Sequence, residues 1–208
     1  IPDRLISPGY VREKTEHIHE YIDRIRSIIE HVRTFSREQM RDEIHPFDPN
    51  QAVSNALSLV NSQYKGLGIE LTADLNEMNR VSGNLYRLEQ VILNLLTNAR
   101  DAVDERISAE GHGFHPRILV STFTKCGSVE KCGVGIRIED NGAGIPEEHL
   151  TQIFDPFFTT KPVDKGTGLG LSVAYGIIKE MGGEILYESR VGEGTIATIK
   201  LPALAATE

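Results

Sequence analysis

Ile18, Ile22, Ile25, Ile29 and Val32 follow one another at intervals of 4, 3, 4 and 3, and Tyr21, Ile28 and Phe35 recur every seven residues beside them. Apolar positions at that period line one face of a helix, so the pattern predicts a long helix from about Pro8 to Arg41. The stripe is wider than a two-stranded seam needs and suits a helical bundle. A plain amphipathic helix packed on its own domain is the other reading. The two prolines of DEIHPFDPNQAV then stop the helix and mark a linker. Asp48-Pro49 has the form of an N-cap followed by proline at the first helical position, opening a helix to about Tyr64. Gly66 and Gly68 close it. Ile69 to Leu75 alternates as a strand, and Val81 begins a short extended piece. A strong helix is predicted from about Leu85 to Ile107, with Leu88, Ile92, Leu95, Leu96, Ala99, Ala102 and Val103 on one face.

After the loop GHGFHP, Arg117–Thr124 and Val134–Glu139 have strand character, joined by KCGSVEKCG. A glycine-rich stretch runs from Asp140 to Leu171. A helix over about Leu171–Met181 ends at Gly182-Gly183. Two last strands, Glu184–Ser189 and Thr195–Leu201, flank the turn RVGEG. Helices mixed with late antiparallel pairs indicate an α+β, two-layer α/β sandwich rather than a wound βαβ sheet.

Four constellations carry candidate chemistry. Asn94 and Asn98 lie at i and i+4 on the flank of the apolar face of the Leu85 helix. Burying two amides there requires partners for every donor and acceptor, which suits the edge of a cleft holding a polar ligand. A pair of surface amides is the alternative. An Asn carbonyl oxygen is also a suitable Mg²⁺ ligand, being hard and neutral. Asp140-Asn141-Gly142-Ala143-Gly144-Ile145 follows a strand directly. A carboxylate there can accept a hydrogen bond from an exocyclic amine, and its glycines permit close backbone approach; a plain tight turn has the same form. Gly166-Thr167-Gly168-Leu169-Gly170-Leu171-Ser172 opens a helix, where free N–H groups and the helix dipole favour phosphate. A hinge ahead of a helix is the alternative. The spacing fits neither the Walker A loop nor G-x-G-x-x-G. Between these lies IFDPFFTTKPVDKG, with Phe154, Phe157 and Phe158 as apolar anchors and Lys161 and Lys165 as candidate phosphate contacts. Gly192-Glu193-Gly194-Thr195 is a hairpin turn with a hydroxyl beyond it.

In this order, the segments resemble the catalytic, ATP-binding domain of sensor histidine kinases, within the gyrase–Hsp90–kinase–MutL superfamily. NLLTNARDA looks like the family's N box, DNGAGI its G1 box, IFDPFFTTK its F box, GTGLGLS its G2 box and GEGT its closing glycine box. The NARDA and FFTTK forms resemble the nitrogen-sensor branch. The resemblance implies the Bergerat ATP-binding fold, a mixed sheet covered by helices on one face. It implies Asn98 as the Mg²⁺ ligand, Asn94 near the phosphates, and Asp140 on the adenine amine. Gly142 and Gly144 would admit the purine with Ile145 beside it. Gly166, Thr167, Gly168, Leu169, Gly170 and Leu171 would wrap the phosphates, and Thr195 would support the adenine end. Phe154 to Thr167 would form an ATP lid carrying Lys161. In some relatives a basic residue follows the Mg²⁺ Asn by three. Here that position is Asp101, which shifts phosphate neutralisation toward Mg²⁺, Lys161 or Lys165.

Hydrolytic relatives place a Glu one turn before the Mg²⁺ Asn to activate water. Asn94 at that position cannot take a proton, and Glu89, nine positions before Asn98, falls on the opposite side of the helix. The implied activity is therefore transfer of the ATP γ-phosphate to a histidine, for relay to a response regulator receiver domain. A GHKL serine kinase of the anti-sigma type and a nucleotide-gated interaction module share the ATP boxes and are the alternatives. The family's acceptor is a His followed by an acidic residue and then Thr or Asn before Pro. None of the seven His fits: His19-Glu20 is followed by YID, and His45 meets Pro46 directly. The Pro8–Arg41 helix instead resembles the second helix of the dimerisation hairpin. The expected organisation is a partial dimerisation region over 1–45 and an ATP-binding domain over 46–208, with a homodimer formed through the hairpin in the full-length protein.

Composition narrows the partners. Lys plus Arg number 22 against 30 Asp plus Glu, a net charge of −8, which disfavours general nucleic-acid binding. No apolar run is long enough to span a bilayer, and no signal layout or initiator Met opens the chain. A cytoplasmic fragment without membrane contact of its own is expected, with a membrane anchor left open for the full-length protein. Cys126 and Cys132 are expected as free thiols in that setting.

Overall fold

A computed structural model of the chain describes residues 44–126, 132–161 and 166–204. The helix expected over Pro8–Arg41, with His17, His19 and His31, lies outside the described residues, as does Lys165.

The first described element departs from the expected linker. Strand β1 (His45–Phe47) pairs antiparallel with β3 (Val81–Gly83), Phe47 facing Val81. Helix α1 (Pro49–Gly66) begins as expected: Asp48 has extended backbone and its Oδ1 accepts the Asn50 N–H at 2.9 Å, with Pro49 just inside. β2 (Glu70–Asp74) follows. Asn84 caps helix α2 (Leu85–Glu110), its Oδ1 accepting from the Tyr86 and Arg87 amides at 3.0 and 3.3 Å. β4 (Arg117–Cys126) and β5 (Cys132–Asp140) form a long antiparallel pair. The glycine-rich stretch contains a short helix, α3 (Glu147–Leu150), which periodicity could not show. Helix α4 (Gly170–Glu180), β6 (Glu184–Arg190) and β7 (Gly194–Pro202) complete the described elements.

The five-stranded sheet has the order β2-β4-β5-β7-β6. β2 runs parallel to β4 and every other pairing is antiparallel, so the sheet is mixed. The α2 stripe is buried as its period requires: Leu88, Ile92 and Leu96 are fully enclosed, together with Val91, Ala99 and Val103. They meet Ile118, Val120, Ile136, Ile138 and Ile199 from the sheet, and Ala174, Ile177 and Ile178 from α4. Along β5, Val134, Ile136 and Ile138 are buried while Arg137 and Glu139 are half-buried, the alternation of a strand with one face on the core. The next residue in phase with that buried face is Asp140. The core pattern therefore delivers a carboxylate to the helix-covered side of the sheet at the strand's end.

Across β4 and β5 the register sets Cys126 opposite Cys132. Cys132 is disulfide-bonded, which corrects the expectation of free thiols. No helix among the described residues is long and apolar enough to cross a membrane.

Candidate functional site

One edge of α2 organises the site. Asn94, Asn98, Asp101 and Ala102 follow at intervals of four, three and one, so they share that edge. Each meets a different loop or helix end.

Ala102 meets the turn after β5. Its carbonyl accepts the Ala143 N–H at 2.9 Å. A Cβ on Gly142 would fall 2.5 Å from the Ala102 carbonyl carbon and 2.7 Å from its oxygen. Backbone packing against α2 thus demands glycine here before any ligand is considered. Gly144 sits as tightly against the Arg190 carbonyl. The family resemblance implies that both glycines admit a purine; the structure adds that they let the turn dock between α2 and the β6–β7 hairpin.

Asp140 is only 7% exposed. Its Oδ1 accepts the Gly142 N–H at 2.8 Å, and the Thr195 N–H also bonds to the carboxylate. Burial pushes the carboxyl up to about 6, and those two amides only partly offset it. A carboxylate this buried, with acceptor capacity to spare, is suited to one donor on a flat ligand.

Thr195 faces Asp140 across β5 and β7 and is likewise buried. Its Oγ1 lies 2.9 Å from Ser189 Oγ, a residue that the sequence did not single out. Ser189 Oγ accepts the Ile145 N–H at 2.8 Å and donates to the Gly194 carbonyl at 2.9 Å. Its single proton being used on Gly194, the Thr195 hydroxyl is the donor between the two. One serine thus ties the G1-type turn to the closing hairpin. A serine on an alternating strand gives no sequence signal for this.

Asn94 meets the start of α4: its Nδ2 donates to the Gly170 carbonyl at 3.2 Å. No side chain caps the first amides of α4; Thr167 Oγ1 accepts from Leu169 N at 3.4 Å, and Ser172 Oγ donates back to the Leu169 carbonyl at 2.9 Å. Uncapped amides at the positive end of a helix are available to an anion. Leu171 packs against the core and fixes that end. Glu89 accepts from Asn55 of α1 at 3.1 Å, on the side of α2 away from Asn98, as the helical spacing requires.

Asn98 and Asp101 meet the F-box segment. Lys161 Nζ donates to Asn98 Oδ1 at 3.2 Å and to Asp101 Oδ2 at 2.5 Å. Phe154 anchors the near end of this segment, its ring tilted against Tyr175 of α4 at 5.0 Å and edge-on to Tyr187 of β6 at 5.7 Å. Phe157 has φ of 69° and donates its N–H to the Gly168 carbonyl at 2.9 Å. A Cβ on Gly168 would lie 2.4 Å from the Phe157 carbonyl carbon, so the F and G2 segments pass backbone to backbone. Gly166 lies instead against side chains, where an added Cβ would fall 2.4 Å from Thr159 Oγ1 and 3.1 Å from Lys161 Cβ.

The arrangement therefore brings together a buried carboxylate acceptor at Asp140, uncapped helix amides, a lysine, and a neutral carbonyl oxygen at Asn98 that already accepts from a cation. Among the described residues, no group of three or more His, Cys, Asp or Glu could hold a metal ion. A divalent ion here would thus rest on Asn98 and on oxygens brought by the ligand, which is how Mg²⁺ with few protein ligands is usually held.

Residues 83–205 match the family described as histidine kinase-, DNA gyrase B-, and HSP90-like ATPase. The two-component sensor PprA of Pseudomonas aeruginosa is 36% identical over 96% of this chain, which covers 21% of that protein. The chain spans about a fifth of the length of the first curated relatives it matches. Among solved structures, the catalytic domain of histidine kinase ThkA superposes with a TM-score of 0.62 at 30% identity, covering 77% of this chain and 96% of that one. Histidine kinase ThkA in complex with response regulator protein TrrA gives 0.68 at 25% identity, over 99% of this chain and 55% of that one. With more than half of its residues in that match and the nucleotide-type site on the same stretch, the chain belongs to the histidine kinase-, DNA gyrase B- and HSP90-like ATPase family.

Proposed function

We infer that this chain is the ATP-binding catalytic part of a cytoplasmic two-component sensor histidine kinase, with the ATP-binding domain over 46–208 and part of the dimerisation hairpin over 1–45. The observation that carries this reading is the single edge of α2, where Asn94, Asn98, Asp101 and Ala102 bond to the G1, G2 and F segments. ATP or ADP would bind with its exocyclic amine on Asp140 and its phosphates at the start of α4. Mg²⁺, when bound at Asn98 Oδ1, would supply positive charge to the phosphate tail.

What this chain's own residues contribute is positioning and charge. Asp140 and Thr195 fix the base, the Gly166–Leu171 amides orient the phosphates, and Lys161 brings a point charge toward them. Phosphoryl transfer needs little covalent help from the protein beyond that. Asn94, which donates to Gly170, offers no base for water, so the γ-phosphate is held for an incoming acceptor. That acceptor is a histidine of the full-length protein, and the product phosphate passes to the receiver domain of a response regulator. The relatives named as sensors and the ThkA complex with its response regulator support this route. The full-length protein would dimerise through the helix hairpin.

The test is transfer from γ-labelled ATP to a separate polypeptide carrying the acceptor hairpin of the full-length protein. Label that is lost in acid and stable in base marks phosphohistidine. Acid-stable label would instead indicate a hydroxyl acceptor and defeat the histidine assignment.

A further inference from the structure

The carboxylate at Asp101 is the least expected charge in this site. It lies one helical turn beyond Asn98, where a bound triphosphate would be repelled by it. Its two oxygens are nevertheless both engaged by cations. Oδ1 accepts from Arg100 Nη2 at 2.5 Å and Nε at 3.0 Å, and Oδ2 accepts from Lys161 Nζ at 2.5 Å. The pair is mostly shielded, Lys161 being 31% and Asp101 23% exposed in their side chains. The same ammonium reaches Asn98 Oδ1 at 3.2 Å. Thr159 Oγ1 accepts the Lys161 N–H at 3.1 Å, which fixes the backbone from which the lysine springs.

We propose that Asp101 is a positioning residue for nucleotide phosphate: it draws Lys161 toward α2 and holds the ammonium beside Asn98, so that the F segment supplies the positive charge that α2 does not carry at position 101. Asp101 touches no ligand itself. A lysine on an exposed segment would otherwise sample many rotamers and lose entropy on binding. Held by Asp101 and, until a divalent ion takes Asn98 Oδ1, by Asn98 as well, the ammonium is already aimed, and it keeps at least one proton for a phosphate oxygen. This inference rests on the nucleotide-site reading above and deepens it.

The test measures affinity of the full chain for MgATP and for AMP by calorimetry, with Asp101→Asn, Asp101→Glu, Lys161→Gln and the double variant Asp101→Asn/Lys161→Gln. If Asp101 acts through Lys161, Asp101→Asn and Lys161→Gln each weaken MgATP binding about tenfold while AMP changes less than about twofold. The double variant is no weaker than the worse single one, and Asp101→Glu recovers most of the loss. Simple removal of a negative charge beside a polyanion has the opposite sign. Tighter MgATP binding in Asp101→Asn, equal losses for both ligands, or additive losses in the double variant would each overturn the proposal. Should Asp101→Asn fail to fold, Asp101→Ser, which likewise cannot hold the Lys161 ammonium, gives the same ATP-selective comparison against Lys161→Gln. An unsubstituted chain that binds neither nucleotide would defeat the nucleotide-site reading itself, a distinct outcome from an unsubstituted chain that binds both with no ATP-selective loss in the variants.

Discussion

Asp140 Oδ1 accepts the Gly142 N–H at 2.8 Å while the rest of its turn is pinned to α2 through Ala143 and Ala102. The carboxylate is thereby buried in one orientation with its pKa pushed up to about 6. Two pH effects of opposite sign follow from that raised value. As an acceptor for a ligand amine, Asp140 works best ionised, so nucleotide affinity is expected to fall as pH drops through about 6. Stability runs the other way. The folded chain holds this proton more tightly than the unfolded chain, whose carboxyl sits at the ordinary value of 3.8. The contribution is therefore greatest below about pH 4 and declines by up to about 3 kcal/mol as pH rises to about 6. Denaturant titrations of the chain and of Asp140→Asn across this range isolate the term, the difference between them being flat if the carboxyl does not titrate there.

Gly142→Ala tests the close approach of turn and helix. The added Cβ would lie 2.5 Å from the Ala102 carbonyl carbon, which is backbone and cannot swing away. A loss of about 1–3 kcal/mol is expected from overpacking, together with weaker ATP binding as the turn lifts from α2. Thermal melts and calorimetry on the same preparation read both. A variant as stable as the parent would show that the turn relaxes freely.

Asn94→Asp changes a donor into an acceptor opposite the Gly170 carbonyl. Two oxygens would then face each other, at an expected cost of about 1–3 kcal/mol. The first turn of α4 should loosen, which hydrogen exchange at the amides following Gly170 would detect. Unchanged protection there would mean that Asn94 does not hold α4.

Ser189→Ala removes a hydroxyl that serves Ile145, Gly194 and Thr195 together. A loss of about 1–3 kcal/mol is expected, because the Ile145 N–H is left without its acceptor. Ser189→Thr retains the hydroxyl and should recover much of it. Urea denaturation of the two variants checks the order.

Legibility in the sequence followed period and proximity along the chain. Leu88, Ile92, Leu95, Leu96, Ala99 and Val103 repeat at helical spacing, and all are buried. Asp48-Pro49 marked the start of α1 because capping is a local interaction. β1 escaped because three residues carry no period, and its partner β3 lies more than thirty residues away. Ser189 escaped because its role depends on three groups brought together only by folding. Lys161 and Asp101 were each visible as charged residues of the site, but their pairing spans 60 positions and no local pattern encodes it.

The most direct measurement is a crystal structure of the chain with Mg²⁺ and a non-hydrolysable ATP analogue. The expected result is adenine amine density within hydrogen-bonding distance of Asp140, phosphates at the first turn of α4, and the metal on Asn98 Oδ1. Nucleotide bound away from the α2 edge, or density in the cleft with Asp140 facing no donor, would contradict the assignment of this site.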